Sequence, residues 1–434
     1  MTLQQLVNSI QHLSGTEADL STLLAKLKAQ ESSLRQSQAA LINCLRALDP
    51  VQHSLGYLYL LDATGSEGLP VHASEEFIGL AVGFLQTCST VQIRMAPDKF
   101  VSVSRKLKEH LLVLHQPRRA VLPLRTALYK LAPSSDYVTP IHAEFLQVCT
   151  LAKCYNSAVP ILQADISDVD PAKTAMTPRD LMLYCYYGGL IHIGRKSYAQ
   201  ALDLLLQGLT APTMVVNAIT LAAYKKYALV SLIHQGNLPP LPKYMPTTLQ
   251  RSLKTECQAY QEFAAGYGVK SNDELQAFVT AKQAQFAEDG NGGLVRLALE
   301  AKTKRSIQRL TQTYLTLSLA DIAQAANLRD AGQAELYVLR MIDAGDVHAQ
   351  IDASQGMVRF LEDPEEYNSA AVVARLATTI DKSIHLAQKL QAVNNMVSCD
   401  KAYLNKLHVK ERHSRYEDTS DMSDPMAEGR LSLA

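Results

Sequence analysis

The chain has 434 residues, 47% of them hydrophobic and 19% charged, and its 42 lysines and arginines balance its 42 aspartates and glutamates. That length allows two or three domains with sizeable cores, and the even charge excludes a chain-wide field that would draw in nucleic acid. No apolar run reaches the ~20 residues of a membrane span; the richest, Ile219 to Ile233, is broken by Lys225 and Lys226.

The first residues, MTLQQLVNSIQHL, lack the basic start and unbroken apolar segment of a signal peptide. Leu3, Leu6, Ile10 and Leu13 recur at helical spacing, as do Leu20, Leu23, Leu24 and Leu27. Helix after helix is predicted as far as about residue 300, with 1–264 forming a repeat region. Short polar turns separate them: Gly-Ser-Glu-Gly at 65–68, Pro133 to Asp136, and Asn237 to Pro242. The seven cysteines are odd in number, scattered, and set in apolar helical patterns. They read as reduced, buried thiols of a nuclear or cytoplasmic protein.

A repeat runs through the middle. The starts "QPRRAVLPL", "CYNSAVPIL" and "GRKSYAQALDLL" place Ala120, Ala158 and Ala201 in equivalent positions, and Tyr155 matches Tyr198. Each start follows a more apolar helix. A helical hairpin of this length cannot bury its own apolar face, so neighbours stack into a solenoid. Gly188, Gly189 and Ala201 are the predicted close crossings. Unrelated hairpins of similar length remain an alternative, and they give the same all-helical result.

A second region spans 265–365. Its loop signals are 265–275 and 287–293. A helix from Leu294 to Tyr314 precedes a short strand, Thr316 to Ser318, and Ser318 is placed to cap a helix from Leu319 to Asn327. Gln333 to Ala344 is the next helix, ended by Gly345. Val347 to Ala353 and Met357 to Leu361 alternate around the turn Ser354-Gln355-Gly356. The outline is a winged helix. After a break at Asp363-Pro364, residues 366–409 predict a long helix with a heptad-like seam through Val373, Leu376, Ile380, Ala387, Leu390 and Val397. Residues 410–434 predict a disordered tail.

A DNA-reading helix would direct Arg, Lys, Asn or Gln at base edges. In Gln333–Ala344 the stripe Ala334, Tyr337, Val338, Met341 and Ile342 faces the core. That leaves one arginine, Arg340, among Glu335, Asp343, Leu336 and Leu339. The wing adds Asp346, Asp352, Glu362 and Asp363. The basic cluster Lys302, Lys304, Arg305 and Arg309 reads as a solvated face. The twelve histidines form no zinc-binding motif, and no phosphate loop, nucleophile elbow or dinucleotide motif occurs. No catalytic, metal or cofactor site is predicted, and no membrane or nucleic-acid partner.

What remains is protein binding. An unblocked outer strand recruits another strand, so the wing residues Val347, His348, Gln350, Ile351, Asp352, Met357, Val358, Arg359 and Phe360 are the predicted interface. Sequence leaves open which strand is the outer one. Leu376, Ile380, Ile384 and Leu390 add a predicted apolar interface on the long helix.

Helical repeats, a winged helix and one long helix form the layout of PCI-domain proteins. The chain resembles the COP9 signalosome branch of that family, in its third-subunit lineage and most in the plant form. The resemblance rests on "HSLGYLYLL" (53–61), "LYCYYGGLIHIG" (183–194), "LAAYKKYALVSLIHQG" (221–236), "GLVRLALEAKTKRSIQRLTQTYLTLSLADIA" (293–323) and "VLRMIDAGDVHAQIDASQGMVRFLEDPEEY" (338–367). It extends to about residue 410, and the tail departs from it. The resemblance implies a mainly α fold, with a TPR-like solenoid, a PCI winged helix and an assembly helix. It implies a non-catalytic scaffold, located in nucleus and cytoplasm, of the assembly that removes a ubiquitin-like modifier from cullins. Subunits 1 and 8 would be its neighbours, cullin-RING ubiquitin ligases its indirect partners, and in plants repression of light-dependent development its output. A PCI subunit of the proteasome lid or of translation initiation factor three is the nearest alternative, and a winged-helix nucleic-acid binder the alternative of another class.

Overall fold

The computed structural model describes residues 3–12, 16–34, 38–65, 71–164, 166, 168–211, 216–362 and 369–409. The turn residues 66–68, the Asp363-Pro364 break and the tail beyond 409 lie outside these. Two compact units result, divided after Phe360. The fold is mainly helical, with one three-stranded sheet.

The repeat is built on four helices that each open a hairpin: Pro97–Val113, Pro140–Leu151, Pro178–Gly194 and Ala218–His234. Each packs on the next or next but one. The first three begin with proline in the first turn, where its missing N–H is no loss and its fixed φ suits the helix. The returning helices are Arg118–Leu131, Tyr155–Leu162 and Tyr198–Thr210. Ala120, Ala158 and Ala201 sit at the same place on them and are all fully buried. A Cβ at Gly189 would stand 2.8 Å from the Leu205 side chain, and one at Gly188 2.8 Å from Leu204. The sequence repeat is thus a repeat of close helix crossings.

Charge also ties successive hairpins together. Arg105 donates to Glu144 at 2.7 Å and to Asp180, and Lys108 donates to Glu144 and Gln147. Asp180 in turn belongs to the capping box of Thr177. Glu144 and Asp180 are buried, so each needs these partners to stay charged in the interior.

Two expectations are corrected. The predicted loop 265–275 is mostly helix, Gln258–Tyr267 and Asn272–Ala281. Its Gly, Ser and Asn residues are helix-end chemistry: Ser271 and Glu274 form a capping box. Of the cysteines, Cys88, Cys149, Cys185 and Cys257 are buried, Cys44 and Cys154 half-buried, and Cys399 is exposed at the C-cap of the last long helix.

Two measurements follow from this packing. Gly189→Val should lower stability in urea by about 1–3 kcal/mol, since extra methyls overfill the crossing; an unchanged midpoint would mean that the crossing is not tight. His142 accepts from the Thr139 N–H at 3.0 Å, lies edge-on to Tyr184, and is held by burial down to about 4, against an ordinary 6.5. Below 6.5 the unfolded chain takes up the proton that the folded one refuses. Stability from His142 is therefore complete above pH 6.5 and lost as pH falls toward 4. His142→Asn should flatten that part of the pH–stability curve; a curve of unchanged slope would show that other groups set it.

Candidate assembly surface

The sheet is formed by β1 (Thr316–Ser318), β2 (Ala349–Asp352) and β3 (Met357–Phe360), and its order is β1–β3–β2. Between β1 and β2 lie helices Leu319–Ala325 and Ala331–Asp343. Ser318 caps the first as predicted, accepting from the Asp321 N–H, and Asp330 caps the second. Gly345 and Gly356 take positive φ at the two tight turns. Ser354 and Gln355 amides, with the Ser354 hydroxyl, donate to the Asp352 carboxylate. These bonds close the hairpin and hold that carboxyl below its usual range. Val347, Val358 and Phe360 are buried with Ile322, Val338 and Met341.

Strand order decides which predicted wing residues can pair with a neighbour. β3 is central, so Met357, Val358, Arg359 and Phe360 have a strand on each side and cannot serve as an edge. Val358 and Phe360 are core. The outer strand of the hairpin is β2.

Register decides which atoms of β2 are free. The Phe360 N–H donates to the Leu315 carbonyl at 2.8 Å, and the Leu319 N–H to the Gly356 carbonyl at 2.9 Å. Alternation along an antiparallel strand then turns the Val358 and Phe360 backbone toward β1, and that of Met357 and Arg359 toward β2. Opposite Met357 and Arg359 stand Asp352 and Gln350. The N–H and C=O of Ala349 and Ile351 therefore point out along the open edge. Gln350 is exposed through its side chain, yet its amide faces inward. His348 is half-buried.

The helix Ala331–Asp343 buries Ala334, Val338 and Met341 and exposes Leu336 and Leu339, as its pattern predicts. Three of the four cations in the basic cluster are not the solvated face expected of them; Arg309 alone of the four is exposed. Lys302 donates to the Lys270 carbonyl, Lys304 pairs with Asp346 at 2.9 Å, and Arg305 donates to the Ile233 carbonyl at 3.1 Å. Burial lowers both Lys302 and Arg305 from their usual values. These cations hold the winged helix to preceding helices and are not free for phosphates.

Sequence reasoning missed a joint. Helix Ala218–His234 packs on Gly292–Thr311. At their contact Lys225 pairs with Asp289 at 2.6 Å and Lys226 donates to Asn291 at 2.7 Å. The Tyr260 hydroxyl donates to Asp289 at 2.7 Å and accepts from the Asn291 amide at 2.9 Å. Burial pulls Lys226 below its ordinary value. A cavity of about 260 Å³ lies beside it. Gly236, at φ +81, leaves room for Arg305 that a Cβ would fill. The adjacent lysines of Tyr224-Lys225-Lys226-Tyr227 were the available signal.

The last unit is the helix Ala370–Ser398, with no buried residue; a further turn-and-helix runs to 409. Leu376, Ile380, Ile384 and Leu390, the predicted apolar interface, lie on one side of the helix and are all more than half exposed. Among the described residues no group of three or more His, Cys, Asp or Glu could hold a metal ion, and no helix is long and apolar enough to cross a membrane.

A helical-repeat chain running into a three-stranded winged helix has the architecture of a PCI-domain protein, and residues 269–362 match the PCI domain model. Residues 17–249 match the model for the N-terminal helical repeats of COP9 signalosome complex subunit 3. The chain is 43% identical to COP9 signalosome complex subunit 3 of Arabidopsis thaliana over 97% of its length and 96% of the relative's. It is 34% identical to that of Dictyostelium discoideum, over 91% and 95%. The chain belongs to the COP9 signalosome subunit 3 family. It is thus a non-catalytic PCI scaffold, and the proteasome-lid, initiation-factor and nucleic-acid readings are set aside.

Asp289→Asn removes the charge on which Lys225 and Tyr260 converge. It should lower stability by about 1–3 kcal/mol; an unchanged urea midpoint would mean that the joint is held by apolar packing alone.

Proposed function

We propose that the chain is a scaffold of a COP9 signalosome that binds a neighbouring PCI subunit through the open edge of β2. The long helix would contribute a second contact, burying Leu376, Ile380, Ile384 and Leu390 against helices of other subunits. One observation carries the reading: the N–H and C=O groups of Ala349 and Ile351 form a strand edge that no described residue blocks, which another strand can complete. The family resemblance supports subunits 1 and 8 as the neighbours. It also supports a role at one remove from the chemistry: holding the assembly that removes the ubiquitin-like modifier from cullins, while another subunit cleaves the bond.

Register chooses the test. Ala349→Pro deletes an outward N–H at the first residue of a strand, where proline is best tolerated. Retention of partner subunits in co-purification should fall about tenfold, with the isolated chain still folded by circular dichroism. One edge hydrogen bond of about 1 kcal/mol, plus the steric block, accounts for that size. Gln350→Pro deletes an inward-facing donor and should instead weaken the sheet. Full retention of partners by folded Ala349→Pro would exclude strand pairing at this edge.

A further inference from the structure

The helix Arg118–Leu131 has one exposed stripe. At 100° per residue, Arg118, Leu122, Arg125 and Tyr129 fall within about 60° of one another, and all four are exposed. Leu122 is 52% and Tyr129 59% exposed. Cation, apolar, cation and aromatic thus alternate along a ridge of about 16 Å.

The other cations of this helix are already used. Arg119 pairs with Glu75 at 2.9 Å and 3.0 Å, and Lys130 donates to the Gln86 and Cys88 carbonyls. Both fasten the parallel helix Val71–Thr87. Arg118 and Arg125 have no acidic partner among the described residues. On Val71–Thr87, Gly79 and Gly83 are exposed and share a face, and a Cβ at either would meet no atom within 4 Å. Packing of the repeat explains Arg119 and Lys130; it explains neither the two unpaired arginines nor the two exposed large apolar groups between and after them.

We propose that this face docks an acidic amphipathic helix of a partner protein. Arg118 and Arg125 are two helical turns apart, about 10 Å. Carboxylates seven residues apart on a facing helix match that spacing, and an apolar residue between them meets Leu122. Gly79 and Gly83, on the helix held alongside by Arg119 and Lys130, project no side chain, so a second backbone can approach there. The pattern does not suit nucleic acid, which needs a continuous row of cations tracking phosphates. The exposed positions on the next returning helices are Asn156, Pro160, Ala199, Gln200, Asp203 and Gln207, which are neutral or acidic.

The test uses the full chain and three labelled probes in fluorescence anisotropy: a synthetic amphipathic helix with Glu at seven-residue spacing beside Leu, the same peptide with Lys for Glu, and a DNA duplex. The Glu peptide should bind saturably and more weakly as salt rises. The double variant Arg118→Glu with Arg125→Glu should bind it at least tenfold more weakly and bind the Lys peptide instead. Arg118→Lys with Arg125→Lys should keep the preference for the Glu peptide. Leu122→Ala with Tyr129→Ala should lose affinity without changing which charge is preferred. Circular dichroism checks each fold. The proposal is overturned if the Glu peptide does not bind, if charge reversal leaves its binding unchanged, or if the duplex displaces it through the same arginines.

Discussion

The first helix of each hairpin in the repeat ends on a left-handed residue: His115, Lys153, Lys196 and Gly236. The bonds around the first three are alike. Gln116, Cys154 and Ser197 N–H groups reach back to the carbonyls of Leu111, Cys149 and His192, which is the Schellman closure of a helix end. Three of the four residues are not glycine, so each accepts roughly 1–2 kcal/mol of backbone strain. At the first three ends the chain reverses within three or four residues, so that the next helix lies close enough to cover an apolar face that its own hairpin cannot bury. The buried Ala120, Ala158 and Ala201 follow from the same constraint: once the turn is tight, the helix that follows has room for a methyl at the crossing and for little more.

Burial so produced then dictates the electrostatics. Glu144 and Asp180 sit where water cannot solvate them, and Arg105 and Lys108 answer them from another hairpin. Such networks add little net stability over an apolar core, but losing one member leaves a buried charge unpaired. They therefore fix the rotation of one hairpin on the next more than they strengthen it. His142 is the neutral counterpart: its ring closes a helix end in an interior that will not admit its proton.

Local signals were legible in the sequence and distant pairings were not. Thr316–Ser318 as a strand, Ser318 as a cap, and the core stripe of Ala334, Val338 and Met341 all depend on spacing within a few turns, and the equivalence of the three alanines on a repeat of local patterns. Strand order could not be read, because β1 lies some forty residues before β3 and enters between nothing that the hairpin itself marks. With β1 beside it, β3 becomes the central strand, and four of the nine predicted wing residues lose their place on an edge. The basic cluster misled for the same reason: its partners, Ile233, Lys270 and Asp346, lie far off in the chain. Residues 265–275 misled differently, since Gly, Ser and Asn serve helix ends as readily as loops.

The joint and the edge strand are mechanically one device. Lys225 and Lys226 hold Asp289 and Asn291, which open the helix Gly292–Thr311. More than three turns further along, Arg305 reaches back to Ile233, while Lys304 and Gln308 take hold of the Asp346 side chain and carbonyl. Asp346 immediately precedes Val347, which anchors the chain entering β2 in the core. The direction in which Ala349 and Ile351 present their free N–H and C=O groups is thus set, side chain by side chain, from the last hairpin of the repeat. Strand pairing is directional, with hydrogen bonds that weaken steeply when misaligned. A scaffold that joins a neighbour through so short an edge needs that direction fixed in advance, and the polar contacts along Gly292–Thr311 are what fix it.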